Sequence, residues 1–401
     1  MDAVEIAKPV TILAHSGRPL IVNQDAPFSF GVFAVADGVV RFQGLDFALV
    51  AGSRSSIIAR FVYPDVVVEN CTFDATAGVA GVEAGFNDTG AGRVLVRGST
   101  FRAGATGTFA FGGGILEVRQ SVLGEHTLSG VQYQSGSSGV VEDNDIGPCG
   151  TVGCVRVFAS AVHVLGNRLT QTRTDVNPGT HHVVLATAFA TVRVAHNEFH
   201  GCGTGSCLLA INGADVEVVD NRFTVFAGQG TRFGVAGSDG SAGTLGLPPP
   251  TMLVTDNVIT GVGGTPGDFE GYAIEIAAIM AEHGAVVTAQ RNTITNAQRG
   301  LQTWDNGTFV NSRDNVIDLV WWGMTIFNQS RVEARINDVT RAVEEIAVFD
   351  SDVSLSDLTC NWWASAGGPS NVSPGIAPAL YTPWATAPVA GTSATSCTGG
   401  L

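Results

Sequence analysis

The sequence predicts an all-β fold, a single-stranded parallel β-helix (solenoid) of about 13 or 14 turns with an internal asparagine ladder. Three observations predict this fold. An eight-residue phrase recurs thirteen times along the chain, its copies are spaced like the turns of a coil, and one of its positions is asparagine in eight copies.

The spacing of the phrase fits one turn of a coil. Its copies begin at residues 40, 66, 94, 116, 139, 162, 192, 216, 252, 287, 310, 332 and 353. Successive starts are at least 21 residues apart, and the two longest steps are 36 and 35 residues. A period with a floor of about 22 residues and occasional additions indicates one repeated supersecondary unit with loop insertions.

The phrase itself predicts a strand followed by a corner. Positions one and three are mostly Val with a polar residue between them, and this alternation is typical of a strand. Position eight is Phe, Leu, Ile or Val in twelve copies and Cys360 in the last. A second strand-like segment, such as CVRVFAS from Cys154, lies between phrases. Three short strands and three corners in about 22 residues make one turn of a parallel β-helix.

Position six is asparagine in eight copies: Asn144, Asn167, Asn197, Asn221, Asn257, Asn292, Asn315 and Asn337. Parallel turns stack at roughly 4.8 Å, so equivalent side-chain amides can hydrogen-bond along the column. A β-propeller needs blades of about 40 residues, which is too long for this period. Leucine-rich repeats need Leu at fixed spacings and alternating helices, and the sequence has neither pattern.

The end of the last repeat carries a resemblance to a known group of proteins. The segment CNWWASAGGPSN, from Cys360 to Asn371, is similar to the Asn-Trp-Trp and Gly-Pro ending of many secreted bacterial β-helix proteins, with Ala364 in place of the usual glycine. Over roughly residues 10 to 365 the chain resembles the right-handed parallel β-helix proteins of the pectin-lyase-like superfamily. We therefore expect a β-helix over residues 1–358 and a C-terminal cap with a Pro/Ala/Thr/Ser-rich tail over 359–401. Trp362 and Trp363 can cover the end of the core.

The charge and hydropathy of the chain argue against some classes of binding partner. The net charge of −15, with Lys8 as the only lysine, argues against nucleic acid and disfavours polyanions unless a divalent cation bridges them. No apolar run approaches the ~20 residues of a membrane span, and no signal peptide is present. Because residues 3–14 already read as strand, we expect that the original N-terminus is missing, or that the open end stacks against a partner.

The cysteines predict disulfides and export. The loops CGTVGC and CGTGSC predict Cys149–Cys154 and Cys202–Cys207, in the same corner two turns apart. Two turns are about 10 Å, which disfavours a shared zinc site. Cys360 and Cys397 are expected to clasp the tail, which leaves Cys71 in the asparagine slot as a buried thiol. Disulfides indicate a secreted or surface-displayed protein.

Catalytic members of the superfamily act on polysaccharides in a groove along one parallel sheet, so the resemblance implies such a groove here. We place it on the segment before each phrase, with outward positions near the following residues: Glu83, Ala110, Gln132, Arg156, Ala186, Ala210, Gly234, Glu275, Gln302, Thr325 and Ala347. The row contains no pair of neighbouring carboxylates of the kind that an inverting glycosidase needs. The polygalacturonase-type Asn-Thr-Asp and Asp-Asp motifs are also missing. A lyase with an arginine base would need carboxylates that bind calcium, and none is evident.

Two groups of side chains remain as candidates. Arg156 and the loop RTDVNPGTHH, which contains His181 and His182, combine a carboxylate-binding group with acid–base groups. The loop's Arg173 and Asp175 belong to the same cluster. A glycan platform is predicted from three aromatic side chains and one amide: Trp304, Trp321, Trp322 and Gln132. The ordinary alternatives are an exposed polar loop and tryptophans that fill corners.

Three functions follow from this reasoning. The first is a secreted or surface-displayed β-helix protein that recognises extracellular polysaccharide without evident catalysis. The second is a polysaccharide lyase or glycoside hydrolase that acts in the groove, with calcium as its cofactor if it is a lyase. The third is a structural stalk or fibre subunit that self-associates end to end. No other cofactor, no metal site, no nucleic acid and no membrane insertion are expected.

Overall fold

The computed structural model describes most of the chain, namely residues 4–6, 8, 10–13, 20–23, 33–35, 37–49, 55–59, 64–74, 80–85, 92–172, 182–226, 231–238, 246–263, 276–349, 356–374, 376–377 and 380–391. The named elements in these ranges are all β-strands. The described residues contain no helix that is long and apolar enough to cross a membrane. The chain divides into two compact units, unit 1 (Met1–Val176 and Thr180–Arg193) and unit 2 (Asn177–Gly179 and Val194–Leu401).

In unit 1 three strands form each turn, and each kind of strand makes a column. The first column, which holds positions one to four of the phrase, contains β2 (Val10–Leu13), β5 (Val39–Gln43), β8 (Asp65–Glu69), β11 (Arg93–Arg97), β14 (Ile115–Arg119), β17 (Ser138–Glu142) and β20 (Ala161–Leu165). The second column, which follows the asparagine corner, contains β3 (Leu20–Asn23), β6 (Asp46–Leu49), β9 (Thr72–Asp74), β12 (Thr100–Arg102), β15 (Val122–Gly124), β18 (Asp145–Ile146) and β21 (Arg168–Gln171). The third column contains β1 (Val4–Ile6), β4 (Phe33–Val35), β7 (Ser55–Ala59), β10 (Ala80–Ala84), β13 (Thr106–Ala110), β16 (Ser129–Gln134), β19 (Gly153–Phe158) and β22 (His182–Thr187).

Unit 2 has the same three columns, and the boundary between the units lies within β23 (Thr191–Ala195). Its first column contains β26 (Asp215–Val219), β29 (Thr251–Thr255), β32 (Val286–Gln290), β34 (Phe309–Arg313) and β36 (Arg331–Arg335). The second contains β24 (Glu198–Cys202), β27 (Arg222–Thr224) and β30 (Val258–Thr260), and the third β25 (Ser206–Ile211), β28 (Phe233–Ser238) and β31 (Ala277–Glu282). In the last turns these two columns merge into the 12-residue strands β33 (Thr293–Trp304), β35 (Val316–Phe327) and β37 (Asp338–Phe349).

Strand pairing confirms the predicted parallel β-helix. Within each unit, the strands whose register is described pair in parallel with their equivalents one turn away, and position one of one phrase faces position one of the next, as in Val66↔Val94↔Leu116. Unit 2 keeps this register, for example in Val287↔Val310↔Val332. The first column has thirteen strands in the part of the chain that the structure describes, close to the 13 or 14 turns predicted.

The core of each coil is built from the apolar positions of the phrase. In unit 1, position eight stacks aromatic rings from turn to turn, with ring centroids 4.8 Å apart for Phe47–Phe73 and 4.6 Å apart for Phe73–Phe101. In unit 2, Phe199 and Phe223 stack at 4.3 Å. These five rings are at most 1% exposed. Identical side chains one turn apart therefore pack face to face, and the repeat stabilises itself through burial of apolar surface.

The asparagine ladder is confirmed within each unit. In unit 2 each backbone N–H donates to the Oδ1 of the asparagine one turn on, at 2.8–3.0 Å, along the column Asn197, Asn221, Asn257, Asn292, Asn315, Asn337 and Asn361. In unit 1 the same role passes from Ser99 and Ser121 to Asn144 and Asn167. The residue before each ladder position has a φ of 49–69°: Gly44, Asn70, Gly98, Gln120, Asp143, Gly166, His196, Asp220, Asp256, Arg291, Asp314, Ile336 and Cys360. This left-handed residue makes the corner that turns the ladder side chain inward.

The frame of the last phrase differs from the prediction. Parallel bridges pair Glu333 with Asp357 and Asp338 with Trp362, so this phrase begins at residue 356 and not at residue 353. Position six is then Asn361, which accepts a hydrogen bond from the Asn337 N–H at 2.9 Å. Position eight is Trp363, 1% exposed, in place of Cys360. Alternating apolar residues fit both frames in the sequence, and the bridges and the ladder hydrogen bond of the structure distinguish them.

Both predicted loop disulfides are present. Cys149 bonds Cys154 with a Cα–Cα distance of 5.0 Å, and Cys202 bonds Cys207 at 4.8 Å, within the usual range for a disulfide. Cys360 is also disulfide-bonded, whereas Cys397 lies outside the described residues. Cys71 is a buried thiol in the ladder slot, and its backbone N–H donates to Ser99 Oγ at 3.2 Å.

Candidate functional site

The outward row of the third column is fixed by strand register. In unit 1 it consists of Ile58, Glu83, Phe109, Gln132, Arg156 and Leu185. The predicted positions Glu83, Gln132 and Arg156 are therefore correct. The predicted Ala110 and Ala186 are wrong by one residue, because both side chains are fully buried and face the core. A shift of one residue moves a side chain to the other face of a strand.

In unit 2 the corresponding row is Leu209, Ala236, Met280, Gln302, Thr325 and Ala347. Gln302, Thr325 and Ala347 were predicted. Ala210 is buried one residue beyond the row, and Gly234 lies two residues before Ala236. Glu275 lies outside the described residues. Gln302, Thr325 and Ala347 are at most 1% exposed, so this part of the row offers little open surface.

A second outward row in unit 1 lies two residues along each strand. It contains Gln134, Phe158 and Thr187, which are paired in register, and Phe111 occupies the equivalent place after β13. Phe109 and Phe111 are half-buried with ring centroids 6.0 Å apart, and Phe158 is 37% exposed. These three rings were not among the predicted binding residues. For Phe109 and Phe111, the sequence signal is the spacing Phe-x-Phe around the inward Ala110.

We name the following six residues the unit 1 face: Phe109, Phe111, Gln132, Gln134, Arg156 and Phe158. The polar side chains of this face lack hydrogen-bond partners within the described residues. Within the described part of the chain, neither Arg156 nor the amides of Gln132 and Gln134 make a side-chain hydrogen bond or an ion pair. Burial lowers the pKa of Arg156 below its ordinary value. The face therefore combines aromatic surface with hydrogen-bonding groups that the protein leaves unused.

The structure describes only part of the predicted catalytic cluster. His182 begins β22, is 8% exposed and lies beside Gly153, while Arg156 pairs with Leu185 on the same strand. Arg156 and His182 are therefore on neighbouring strands. His181, Arg173 and Asp175 lie outside the described residues. Within the described part of this outward row, Glu83 is the one carboxylate, so a pair of carboxylates for acid–base hydrolysis is not found there.

The tryptophans of the predicted platform belong to a packed cluster in unit 2. Trp304 stacks on Phe327 with ring centroids 4.6 Å apart. Trp322 is 5% exposed, and its indole N–H donates to Glu344 at 2.9 Å. The Arg299 guanidinium lies 4.7 Å from the centroid of the Trp322 ring.

Burial in this cluster leaves little of the platform open. Burial lowers the pKa of Arg299 to about 10. Trp322 serves as packing there, whereas Trp304 and Trp321 are only half-buried.

Other concave or charged places offer less. A shallow pocket of about 290 Å³ on the first column of unit 1 is lined by Val39, Asp65, Val66, Val67, Arg93 and Leu95. Its Arg93 already binds Glu117 at 2.8 Å. Among the residues that the structure describes, no group of three or more His, Cys, Asp or Glu side chains is placed to hold a metal ion.

One family comparison agrees with the architecture, and two solved structures show a distant likeness. Residues 50–223 match the sequence model of the family described as "Right handed beta helix region". A tailspike protein of the E. coli bacteriophage HK620, solved with a hexasaccharide, is similar over 85% of this chain and 71% of its own, at 11% identity and a TM-score of 0.35. Pectate lyase Pel9A is similar over 95% of this chain and 90% of its own, at 10% identity and a TM-score of 0.30. No curated protein matches the sequence. The family match and the observed strand pairing together establish a right-handed parallel β-helix.

Proposed function

We propose that this protein binds an extracellular polysaccharide through the unit 1 face and does not cleave it. The observation that carries the proposal is the set of unused polar groups on Gln132, Gln134 and Arg156 beside three accessible phenylalanine rings. Sugars present hydroxyls that need hydrogen-bond partners and apolar C–H faces that pack on aromatic rings. Equivalent side chains lie roughly 4.8 Å apart from turn to turn, so several can contact one extended chain.

Location outside the cell belongs to the same proposal. The Cys149–Cys154 and Cys202–Cys207 disulfides support it, because such bonds persist in oxidising compartments. Both loops are short, and their cysteines are fully buried, as expected of structural bonds.

Binding is tested by affinity electrophoresis and isothermal titration calorimetry against a panel of neutral and acidic polysaccharides. We expect Phe109→Ala and Phe158→Ala each to weaken binding about tenfold, because each removes an aromatic contact worth about 1.4 kcal/mol. The matched control is Phe226→Ala, since Phe226 is 46% exposed but lies in unit 2, outside the face. Unchanged affinity in the double variant of Phe109 and Phe158, with circular dichroism unchanged, contradicts the proposal.

Trp304 and Trp321 provide a second place where a sugar ring could stack. A Trp304→Ala variant separates the two locations, because Trp304 lies in unit 2 and its ring already stacks on Phe327. We expect a smaller loss of affinity than for Phe158→Ala. A larger loss moves the binding surface to unit 2.

Cleavage in the groove is the competing function, and the observation that favours it is His182 on the strand next to Arg156. An assay of the same polysaccharides for unsaturated products and new reducing ends, with and without calcium, distinguishes the two. Binding without products supports recognition. Products that disappear in both Arg156→Gln and His182→Gln variants support an enzyme.

A further inference from the structure

Arg156 differs from Arg41 and Arg97 of the first column in how its charge is balanced. Arg41 and Arg97 flank Glu69 at 3.0 and 2.7 Å. Arg156 is half-buried, its Nε is buried without an acceptor, and it forms no ion pair with any residue that the structure describes. A partly desolvated cation without a counter-ion is unfavourable. In a chain of net charge −15 a carboxylate would be easy to supply, so the missing counter-ion points to a ligand.

The neighbours of Arg156 are suited to hold an anionic group. Gln132 pairs with Arg156 in register one turn away, and its amide makes no hydrogen bond with the residues that the structure describes. Across a spacing of roughly 4.8 Å, the guanidinium can bind two oxygens of one anion while the amide binds a neighbouring hydroxyl. Arginine suits this role because its fork of donors matches carboxylate and sulfate oxygens.

Ser129 is placed to orient the guanidinium. Ser129 pairs with Gly153, three residues before Arg156, just as Ser55 pairs with Ala80, three residues before Glu83. In the second case the serine hydroxyl donates to the Glu83 carboxylate at 2.9 Å. The Ser129 hydroxyl is fully buried and has no partner, so a small rotation lets it accept from Arg156 Nε. That contact would leave both terminal nitrogens for the ligand, which makes Ser129 a positioning residue.

The rest of the row limits how many charges the ligand carries. On either side of Gln132 and Arg156 the row is apolar, with Phe109 and Leu185. The other charged member, Glu83, is a buried carboxylate. A polymer with a negative charge on every sugar would place most of its charges beside neutral side chains, on a protein that repels them overall.

We infer that the polysaccharide is a heteropolymer in which isolated carboxylates or sulfate esters are separated by neutral sugars, and that Arg156 binds one such anion. This inference rests on the proposed function and names its ligand class. Gln132 binds beside the anion, and Ser129 fixes the direction of the guanidinium.

The test uses pairs of polymers that differ only in the anion. Calorimetry compares gellan, which has isolated glucuronates, with its carboxyl-reduced form, and κ-carrageenan with its desulfated form; polygalacturonate represents the fully charged polymer. We expect the wild-type protein to bind one acidic member at least tenfold more tightly than its neutral partner and than polygalacturonate. The pair that shows this preference tells whether the anion is a carboxylate or a sulfate.

Variants assign the preference to Arg156. Arg156→Gln should lower the affinity for the acidic member at least tenfold and so abolish the preference, whereas Phe158→Ala should weaken both members alike. Arg156→Lys should retain a reduced preference, and Ser129→Ala should lower it severalfold without affecting neutral binding. Equal affinity for the two members of both pairs overturns the inference but not polysaccharide binding. A preference that survives in Arg156→Gln also overturns it, and failure to bind any of the five polymers overturns both proposals.

Discussion

Replacing Asn257 with alanine tests the structural role of the ladder. Asn257 is fully buried, and its side-chain amide donates to Val218 O at 2.9 Å, to Thr255 O at 2.8 Å and to Asn292 Oδ1 at 3.0 Å. Its Oδ1 accepts from the backbone N–H of Asn221 at 2.9 Å and from the Asn221 amide at 3.0 Å. Alanine removes these five hydrogen bonds and leaves a buried backbone N–H without its acceptor.

The expected loss of unfolding free energy is about 4 to 6 kcal/mol, at about 1 kcal/mol for each buried hydrogen bond that is lost. A serine at the same position is the informative comparison. In unit 1, Ser99 Oγ accepts from the Cys71 N–H at 3.2 Å and donates to Arg97 O at 3.1 Å. Serine therefore restores about two of the five bonds, and Asn257→Ser should be less destabilised than Asn257→Ala by about 2 kcal/mol.

The assay is guanidinium unfolding followed by tryptophan fluorescence. All six tryptophans lie after residue 300, so the signal reports on unit 2, which contains Asn257. The control is Asn306→Ala, because Asn306 is exposed and its side chain makes no hydrogen bond in the described part of the chain. The reasoning is refuted if alanine and serine destabilise equally, or if alanine costs less than about 1 kcal/mol.

Three further predictions concern the core, a disulfide and a buried histidine. Phe101→Ala removes a ring stacked on Phe73 and should cost about 3 to 5 kcal/mol in calorimetric unfolding, against less than about 1.5 kcal/mol for Phe101→Leu; equal losses would contradict stacking. Replacing Cys202 and Cys207 with serine opens a short loop and should cost about 2 kcal/mol, and a reductant should then have a smaller effect than on the wild-type protein. Burial lowers the pKa of His126 from 6.5 to about 4. Since the pKa of His126 is lower in the folded than in the unfolded protein, the free energy of unfolding should fall by about 3 kcal/mol as the pH falls from about 6.5 to about 4. In a pH series of unfolding curves, His126→Phe should remove this dependence of stability on pH.

The fold could be predicted because the repeat fixes both local and long-range structure. One corner needs a left-handed residue and an inward polar residue, and the next turn needs the same pair at the same place. Asp220 and Asn221, Asp256 and Asn257 show this pair in successive turns of unit 2. Register follows from the pattern, since any shift breaks the ladder.

The third column was predicted less well because its strands lack such a marker. In β13 the space beside Gly107 Cα faces Leu123 in the core, and the next residue, Thr108, is also fully buried. Two consecutive inward residues shift the alternation by one, so Phe109 faces outward and Ala110 inward. Counting every second residue from the corner therefore selects the wrong face.

The tryptophans show a different limit of sequence reasoning. An aromatic side chain near a groove strand is compatible with ligand stacking and with packing, and only its neighbours distinguish the two. Trp322 is packed because Glu344 accepts its N–H and Arg299 lies over its ring. Those partners come from the preceding and following turns, at register positions that the sequence does not mark.

Hydrogen-bond satisfaction separates scaffold from surface in unit 1. The buried amides of Asn144 and Asn167 donate to main-chain carbonyls of their own coil, so they have no capacity left for a ligand. Among the residues described by the structure, the amide of Gln132 and the guanidinium of Arg156 have no hydrogen-bond partner. Since groups with few water contacts are costly to leave unpaired, a ligand gains most where the protein has left such groups without partners. The polar side chains that repeat most regularly are therefore the structural ones, and the residues that we propose for binding are found where the repeat is broken.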